Sequence, residues 1–326
     1  MDKLKNKLLQ MFILGYDGDT PTEKICNLLS SGLGGVILFS QNIKTFDQTI
    51  FAAEKIKSHA QITPFISIDQ EGGRVERTEN LFSGKNFLSA KFAAQKGDDF
   101  VVNQTKDIAK LLKTLGFNLN FAPDIDVNTN PNNPIIGERA FSNNTDEVIK
   151  FGNIVVKEYL RNGIIPCTKH FPGHGDANAD SHLTLPEINL SFEDFEKNHI
   201  RAFKEVKSPM VMVAHLHCKA FDTDKIPSSM SKNVLDYLKK TLSYNPLIIT
   251  DDMVMGGICQ NNKPVENVIN AIKNGVDLIL YRGSDDKTIE IIDDVYKYAT
   301  NDFELQTRIE TSFKRIIEFK TKFLNT

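Results

Sequence analysis

Tryptophan is absent from this 326-residue chain, and cysteine occurs only four times. Cys26, Cys167, Cys218 and Cys259 lie far apart and form no C-x-x-C pair. That spacing argues against a structural zinc site or a disulfide framework, and reduced, buried thiols are the expectation. Tryptophan is a common platform for stacking sugars; without it, the 22 phenylalanines must carry most of the aromatic burial. Neither sign of charge dominates. Lys and Arg number 39 against 42 Asp and Glu, a net charge of −3, and the basic residues are scattered. No broad surface therefore attracts nucleic acid or anionic lipid. No apolar run approaches transmembrane length. Near the N-terminus, lysines precede Leu8, Leu9, Met11, Phe12, Ile13 and Leu14, but Gln10 interrupts the run and no small-residue cleavage site follows. The stretch reads as a short helix entering a first strand, not as a signal peptide, and the cytoplasm is the expected compartment. Pro/Ser-rich linkers and low-complexity tracts are also missing, so residues 1–326 are expected to form a single domain.

What the chain has is a regular alternation. Apolar runs at 11–15, 35–39, 64–68, 118–122, 164–168, 210–214, 247–250 and 278–281 are rich in Ile, Val, Leu and Phe without strict in/out alternation, the pattern of strands buried on both faces. Amphipathic stretches separate most of them, for example 45–60 and 102–115. Asn144, with Glu147 three residues on, predicts a capped helix reaching Arg161. Eight strands alternating with helices predict a (β/α)8 TIM-like barrel in the α/β class, with a doubly wound open sheet as the alternative.

In such a barrel, chemistry collects at the C-terminal ends of the strands. Asp69 follows the third run, Asp124 and Asp126 the fourth, Lys169 and His170 the fifth, His215 the sixth, Asp251 and Asp252 the seventh, and Arg282 the eighth. The densest segment is Lys169-His-Phe-Pro-Gly-His-Gly-Asp-Ala-Asn-Ala-Asp-Ser-His182, a strand feeding a glycine- and proline-broken loop rich in proton-active side chains. Its histidines lack the i, i+4 helical spacing of many metal pairs, so a metal site built from His170, His174, His182, Asp176 and Asp180 is the weaker reading. The glycines at 72–73, 173 and 175 match neither G-x-G-x-x-G nor a Walker pattern. Ser181 lacks a G-x-S-x-G elbow. Acid–base chemistry fits better: Asp180 stands two residues from His182, and Asp251 stands at the end of a buried strand as a candidate carboxylate nucleophile.

These residues resemble a known family. Lys-His-Phe-Pro-Gly-His-Gly (169–175) with Asp-Ser-His (180–182) is similar to the signature of the β-N-acetylhexosaminidases of glycoside hydrolase family 3. Ile-Asp-Gln-Glu-Gly-Gly-Arg-Val-Glu-Arg (68–77) resembles its sugar-binding segment, Ile-Gly-Glu-Arg-Ala-Phe (136–141) its arginine-bearing loop, and Ile-Thr-Asp-Asp-Met-Val-Met-Gly (249–256) its nucleophile segment. The segments follow family order over about residues 10–290.

The resemblance implies a TIM-like barrel and retaining, two-step hydrolysis of terminal β-linked N-acetylglucosamine. It implies Asp251 as nucleophile, His182 as acid/base assisted by Asp180, and Asp69, Arg77, Arg139, Lys169 and His170 as sugar-binding residues, with no metal and no cofactor. Most glycosidases use two carboxylic acids; a histidine, with an ordinary pKa of about 6.5, is already protonatable near neutral pH. The short chain and the Asp-Ser-His element favour the hexosaminidase branch over the family's β-glucosidases, many of which are longer. Thr250, where serine is more usual, and Met253 to Met255 depart from the pattern without removing a catalytic group. Similar cytoplasmic enzymes act on muropeptide fragments during cell-wall recycling, which makes a small carbohydrate or muropeptide the expected partner, with nucleic acid and membrane excluded. A catalytically silent sugar-binding module and a metal-dependent hydrolase are the competing readings. Phosphorolysis in place of hydrolysis also stays open, as do the aglycone and the oligomeric state.

Overall fold

The structure, a computed structural model, describes residues 3–82, 87–177, 185–242, 244–259 and 263–324. Its strands are β1 (Phe12–Leu14), β2 (Gly35–Leu38), β3 (Phe65–Ile68), β4 (Leu119–Asn120), β5 (Ile165–Phe171), β6 (Glu187–Ile188), β7 (Met210–Val213), β8 (His217–Cys218), β9 (Leu247–Asp252) and β10 (Leu278–Tyr281). Eight of them close a parallel barrel in the order β1-β10-β9-β7-β5-β4-β3-β2, while β6 and β8 pair separately. The barrel prediction is borne out, and each of the eight apolar runs supplies one barrel strand. Every residue of β1, β2, β3, β5, β7 and β10 is buried. Burial on both faces explains why these runs are continuously apolar.

The helices cover the barrel with their apolar faces. Thr45 caps helix Phe46–His59 by accepting from the Gln48 amide. Asn144 caps helix Thr145–Arg161 by accepting from the amides of Asp146 and Glu147. Helix Asp98–Thr114 starts four residues before the expected position. Its first turn opens on Asp98 and Asp99, which suit the positive end of the helix dipole but interrupt an apolar pattern. Among the described residues no helix is long and apolar enough to cross a membrane. Cys26, Cys167 and Cys218 are buried free thiols, as expected; the Cys259 side chain lies outside what is described.

Two strands differ instructively from their apolar runs. β4 holds only two residues; beyond it, single bonds from the Phe121 amide to the Ile68 carbonyl and from the Cys167 amide to the Ala122 carbonyl lead to Pro123, which has no N–H to donate, and a bridge joins Asp124 to Lys169. β5 runs three residues further than expected, carrying Lys169 and His170 into the barrel wall. Charged groups can continue a buried strand only where partners meet them, and the β3 and β4 loops supply those partners. At the opposite end of the barrel, Lys320 of helix Phe303–Leu324 donates to Gln10 Oε1 (3.0 Å) and the Gly34 carbonyl (2.8 Å), just before β1 and β2.

Candidate active site

The C-terminal strand ends surround a cleft of about 1030 Å³, lined by Asp69, Glu71, Arg77, Arg139, Lys169, His170, His174, Asp251 and Asp252 among others. Its floor is an ionic cluster. Lys169 Nζ lies 2.6 Å from Asp69 Oδ1 and 2.6 Å from Glu71 Oε1. Arg139 grips the same Glu71 with two bonds, Nε to Oε2 at 2.9 Å and a terminal nitrogen to Oε1 at 2.8 Å. Burial opposes the charges of Glu71, Arg139 and Lys169, yet the pairing wins: Arg139 and Lys169 hold the Glu71 carboxyl well below the usual range, and the carboxylates hold both cations protonated. Glu71 and Lys169 are almost sealed, with side chains 5% and 2% exposed, whereas Asp69 keeps 17% and can still meet a ligand.

Beside this cluster, the β4 loop delivers Asp124 and Asp126. Asp126 accepts from His170 Nδ1 (2.7 Å) and from the amides of His170 (3.2 Å) and His174 (2.6 Å). Burial works against the Asp126 charge, but the His170 hydrogen bond and charge lower its pKa to about 2; in return, Asp126 lifts the His170 pKa in spite of burial. The other His170 nitrogen, Nε2, faces Arg139 at 3.3 Å. Asp124 is pushed up to about 7 by burial and by the Asp126 charge. Asp124, Asp126 and His170 bring ligand atoms within 4.8 Å of one another, the spacing of a metal site. Arg139, 3.5 Å from Asp124, already supplies a fixed cation there.

The two acids of β9 differ. Asp252 is a structural acceptor for the amides of Val254 (3.3 Å) and Arg282 (3.1 Å), and burial raises its pKa to about 6. Asp251 accepts only from the Asp252 amide (2.8 Å) among the bonds resolved for it. Burial opposes its charge, but His170, His215, that amide and Lys169 together lower its pKa. An ionised carboxylate at the wall of a cleft, stabilised by surrounding positive charge and not consumed by a bidentate partner, is what nucleophilic attack requires. His215 is fixed by Ser229 Oγ (2.7 Å) and the Asp252 carbonyl (3.1 Å), which positions it behind Asp251 rather than in the cleft.

A sequence model described as "Glycosyl hydrolase family 3 N terminal domain" matches residues 3–319. The chain belongs to glycosyl hydrolase family 3. Within this family-3 fold, relatives include "Beta-hexosaminidase A" of Pseudoalteromonas piscicida, 35% identical over 89% of this chain and 53% of that protein. "Beta-hexosaminidase" of Neisseria meningitidis serogroup B is 29% identical over 82% of this chain and 76% of that protein. A solved family-3 beta-N-acetylglucosaminidase from Paenibacillus sp. superimposes with a TM-score of 0.91 at 29% identity, covering 99% of this chain and 63% of that one. The chain thus spans about half the length of the Pseudoalteromonas relative.

The family-3 barrel brings Asp69, Arg77, Arg139, Lys169, His170 and Asp251 to one cleft. Asp180 and His182 lie outside the described residues. Arg77 sits with its guanidinium carbon 5.7 Å from the Phe39 ring centre, its buried Nε without a hydrogen-bond partner among the described residues. Arg74 does not pair with Glu71; it donates to the backbone carbonyls of Pro134, Ile135 and Ile136. Sequence reasoning undervalued Glu71 and the Asp124–Asp126 pair, whose partners lie far along the chain. Thr250 has a simple account: its Oγ1 accepts from the Leu280 amide (3.1 Å) where the β9–β10 register shifts, a role that needs a hydroxyl and not serine in particular. Asp176 accepts from Thr129 Oγ1 (3.2 Å), in keeping with loop organisation.

Proposed function

We propose that this chain is a retaining β-N-acetylglucosaminidase and that the single barrel carries the whole reaction. The observation behind the reading is the ionised Asp251 at the cleft wall, among Lys169, His170 and His215, with Asp69 partly open beside it. The beta-hexosaminidase and beta-N-acetylglucosaminidase names of the relatives support an amino-sugar substrate over a plain glucoside.

In the first step an Asp251 carboxylate oxygen attacks the anomeric carbon. The glycosidic C–O bond breaks, and His182 donates its proton to the leaving oxygen. In the second step His182 takes a proton from water, the water oxygen bonds to the anomeric carbon, and Asp251 leaves as carboxylate. Asp180 orients the imidazole and stabilises its charged form. Asp69, Arg77, Arg139, Lys169 and His170 hold the sugar so that the reacting atoms meet in line. The substrate in this reading is a cytoplasmic muropeptide fragment, N-acetylglucosamine linked to anhydro-N-acetylmuramic acid, released during peptidoglycan turnover.

A chromogenic β-N-acetylglucosaminide assayed against the matching β-glucoside tests the activity. Release from the first and not the second is expected, with N-acetylglucosamine as product whether or not phosphate is present. No release from either, or a sugar phosphate as product, overturns the reading.

A further inference from the structure

We propose that the His174 imidazole is a substrate-binding group of this cleft, offering one hydrogen-bond donor and, on its other nitrogen, one acceptor to separate hydroxyls of the sugar held beside His170. The inference rests on the glycosidase reading and extends it to a residue that the resemblance leaves without a role.

The main chain at His174 is held on several sides. Its amide donates to Asp126 Oδ1 (2.6 Å), and its carbonyl accepts from Asn133 Nδ2 (2.8 Å) and the Ala177 amide (3.1 Å). The flanking glycines let the loop lie down: a Cβ at Gly173 would press on His199, and one at Gly175 would overlap the Val127 carbonyl. The ring these contacts position is only 2% exposed, lines the cleft, and lies edge-on to His170 with centroids 5.9 Å apart. Yet neither Nδ1 nor Nε2 has a hydrogen-bond partner among the described residues.

That is unusual for a buried polar group, and His170 and His215 contrast with it. His170 uses one nitrogen on Asp126 and has Arg139 at the other; His215 uses both, on Ser229 and the Asp252 carbonyl. His174 alone of these three, at the wall of the cleft, has neither ring nitrogen partnered among the described residues.

The chemistry of the open ring selects its ligand. Burial, with the charges of His170 and Arg139, lowers its pKa to about 4 against the opposing pull of Asp126. The ring is therefore neutral at physiological pH, with one N–H donor and one acceptor nitrogen. A sugar carries several hydroxyls, each able to donate or accept, so one can meet the N–H and another the acceptor nitrogen.

Nitrogen-15 NMR of the histidine rings, with the His174 signals assigned through His174→Gln, tests this in the intact enzyme. Saturation with N-acetylglucosamine is expected to move both His174 ring nitrogens. By calorimetry, His174→Phe should bind N-acetylglucosamine at least about fivefold more weakly, with affinity partly regained in His174→Gln, whose amide keeps a donor and an acceptor. Unmoved His174 signals when the sugar binds, or equal affinity in His174→Phe, overturn the assignment while leaving the glycosidase reading intact. A wild-type enzyme that neither binds the sugar nor cleaves the chromogenic N-acetylglucosaminide overturns both together.

Discussion

Arg139 and Glu71, 68 residues apart in the chain, are joined by two parallel hydrogen bonds of 2.9 and 2.8 Å, and the same Glu71 oxygen takes Lys169 at 2.6 Å. Glu71 is thus the counter-ion through which the arginine-bearing loop and β5 are held in one geometry. Glu71→Gln keeps the shape but leaves two buried cations sharing Asp69 and Asp124. Breaking a buried ion pair from one side costs about 3 kcal/mol or more, so the midpoint of denaturant unfolding should fall accordingly. Because Lys169 and Arg139 would shift, kcat/KM should fall as well. An unchanged unfolding midpoint would show that the cluster is not held by Glu71.

The neighbouring acids of β9 offer a sharper contrast. Asp251 is ionised and open to the cleft, whereas Asp252 is tied to the amides of Val254 and Arg282. Asp251→Asn should lower kcat at least about 1,000-fold, as expected on loss of a nucleophile; Asp252→Asn, which keeps an acceptor for both amides, should cost less than about tenfold. A 5-fluoro glycosyl fluoride of N-acetylglucosamine should label the peptide carrying Asp251. A label on Asp252, or a larger effect from Asp252→Asn, reverses the assignment.

How far the sequence carried is clear from these same residues. The barrel was legible because strands buried on both faces must be apolar throughout, so the eight runs stood out and their ends pointed to the rim. The partners across the rim were not legible. Glu71 with Arg139 and Asp126 with His170 are separated by 68 and 44 residues, and only closure of the barrel brings them together. Lys169 and His170 hid the end of β5, since charged residues read as a strand's end unless their counter-ions are known. β6 and β8, two residues each, are too short to leave a pattern. His182 and Asp180 came from motif and spacing alone.

For His182 the expected signature is kinetic. General acid–base catalysis contributes about 100-fold to 10,000-fold, so His182→Ala should lower kcat within that range while the affinity for N-acetylglucosamine, which the proposed function assigns to other residues, stays near that of the wild type. A substrate with a low-pKa leaving group needs little protonation, so the loss in the first step should be smaller with it. An undiminished rate with a poor leaving group would remove His182 from the mechanism.

Stability should depend on pH through a residue far from the cleft. Lys320 is fully buried against Gln10, Gly34 and the Phe65 ring, and burial alone lowers its pKa from 10.5 to about 7. Between those values the unfolded chain binds a proton at this position and the folded chain does not. The unfolding free energy contributed here must therefore rise as pH increases from about 7 towards 10.5, and it is flat below 7, where both states are charged. Lys320→Met fills similar volume without a charge. The variant should be more stable than the wild type at pH 7, with the advantage shrinking as pH rises to 10. Urea titrations of both proteins at several pH values across that window check this; an advantage that stays constant or grows with pH would mean that Lys320 remains protonated inside the barrel.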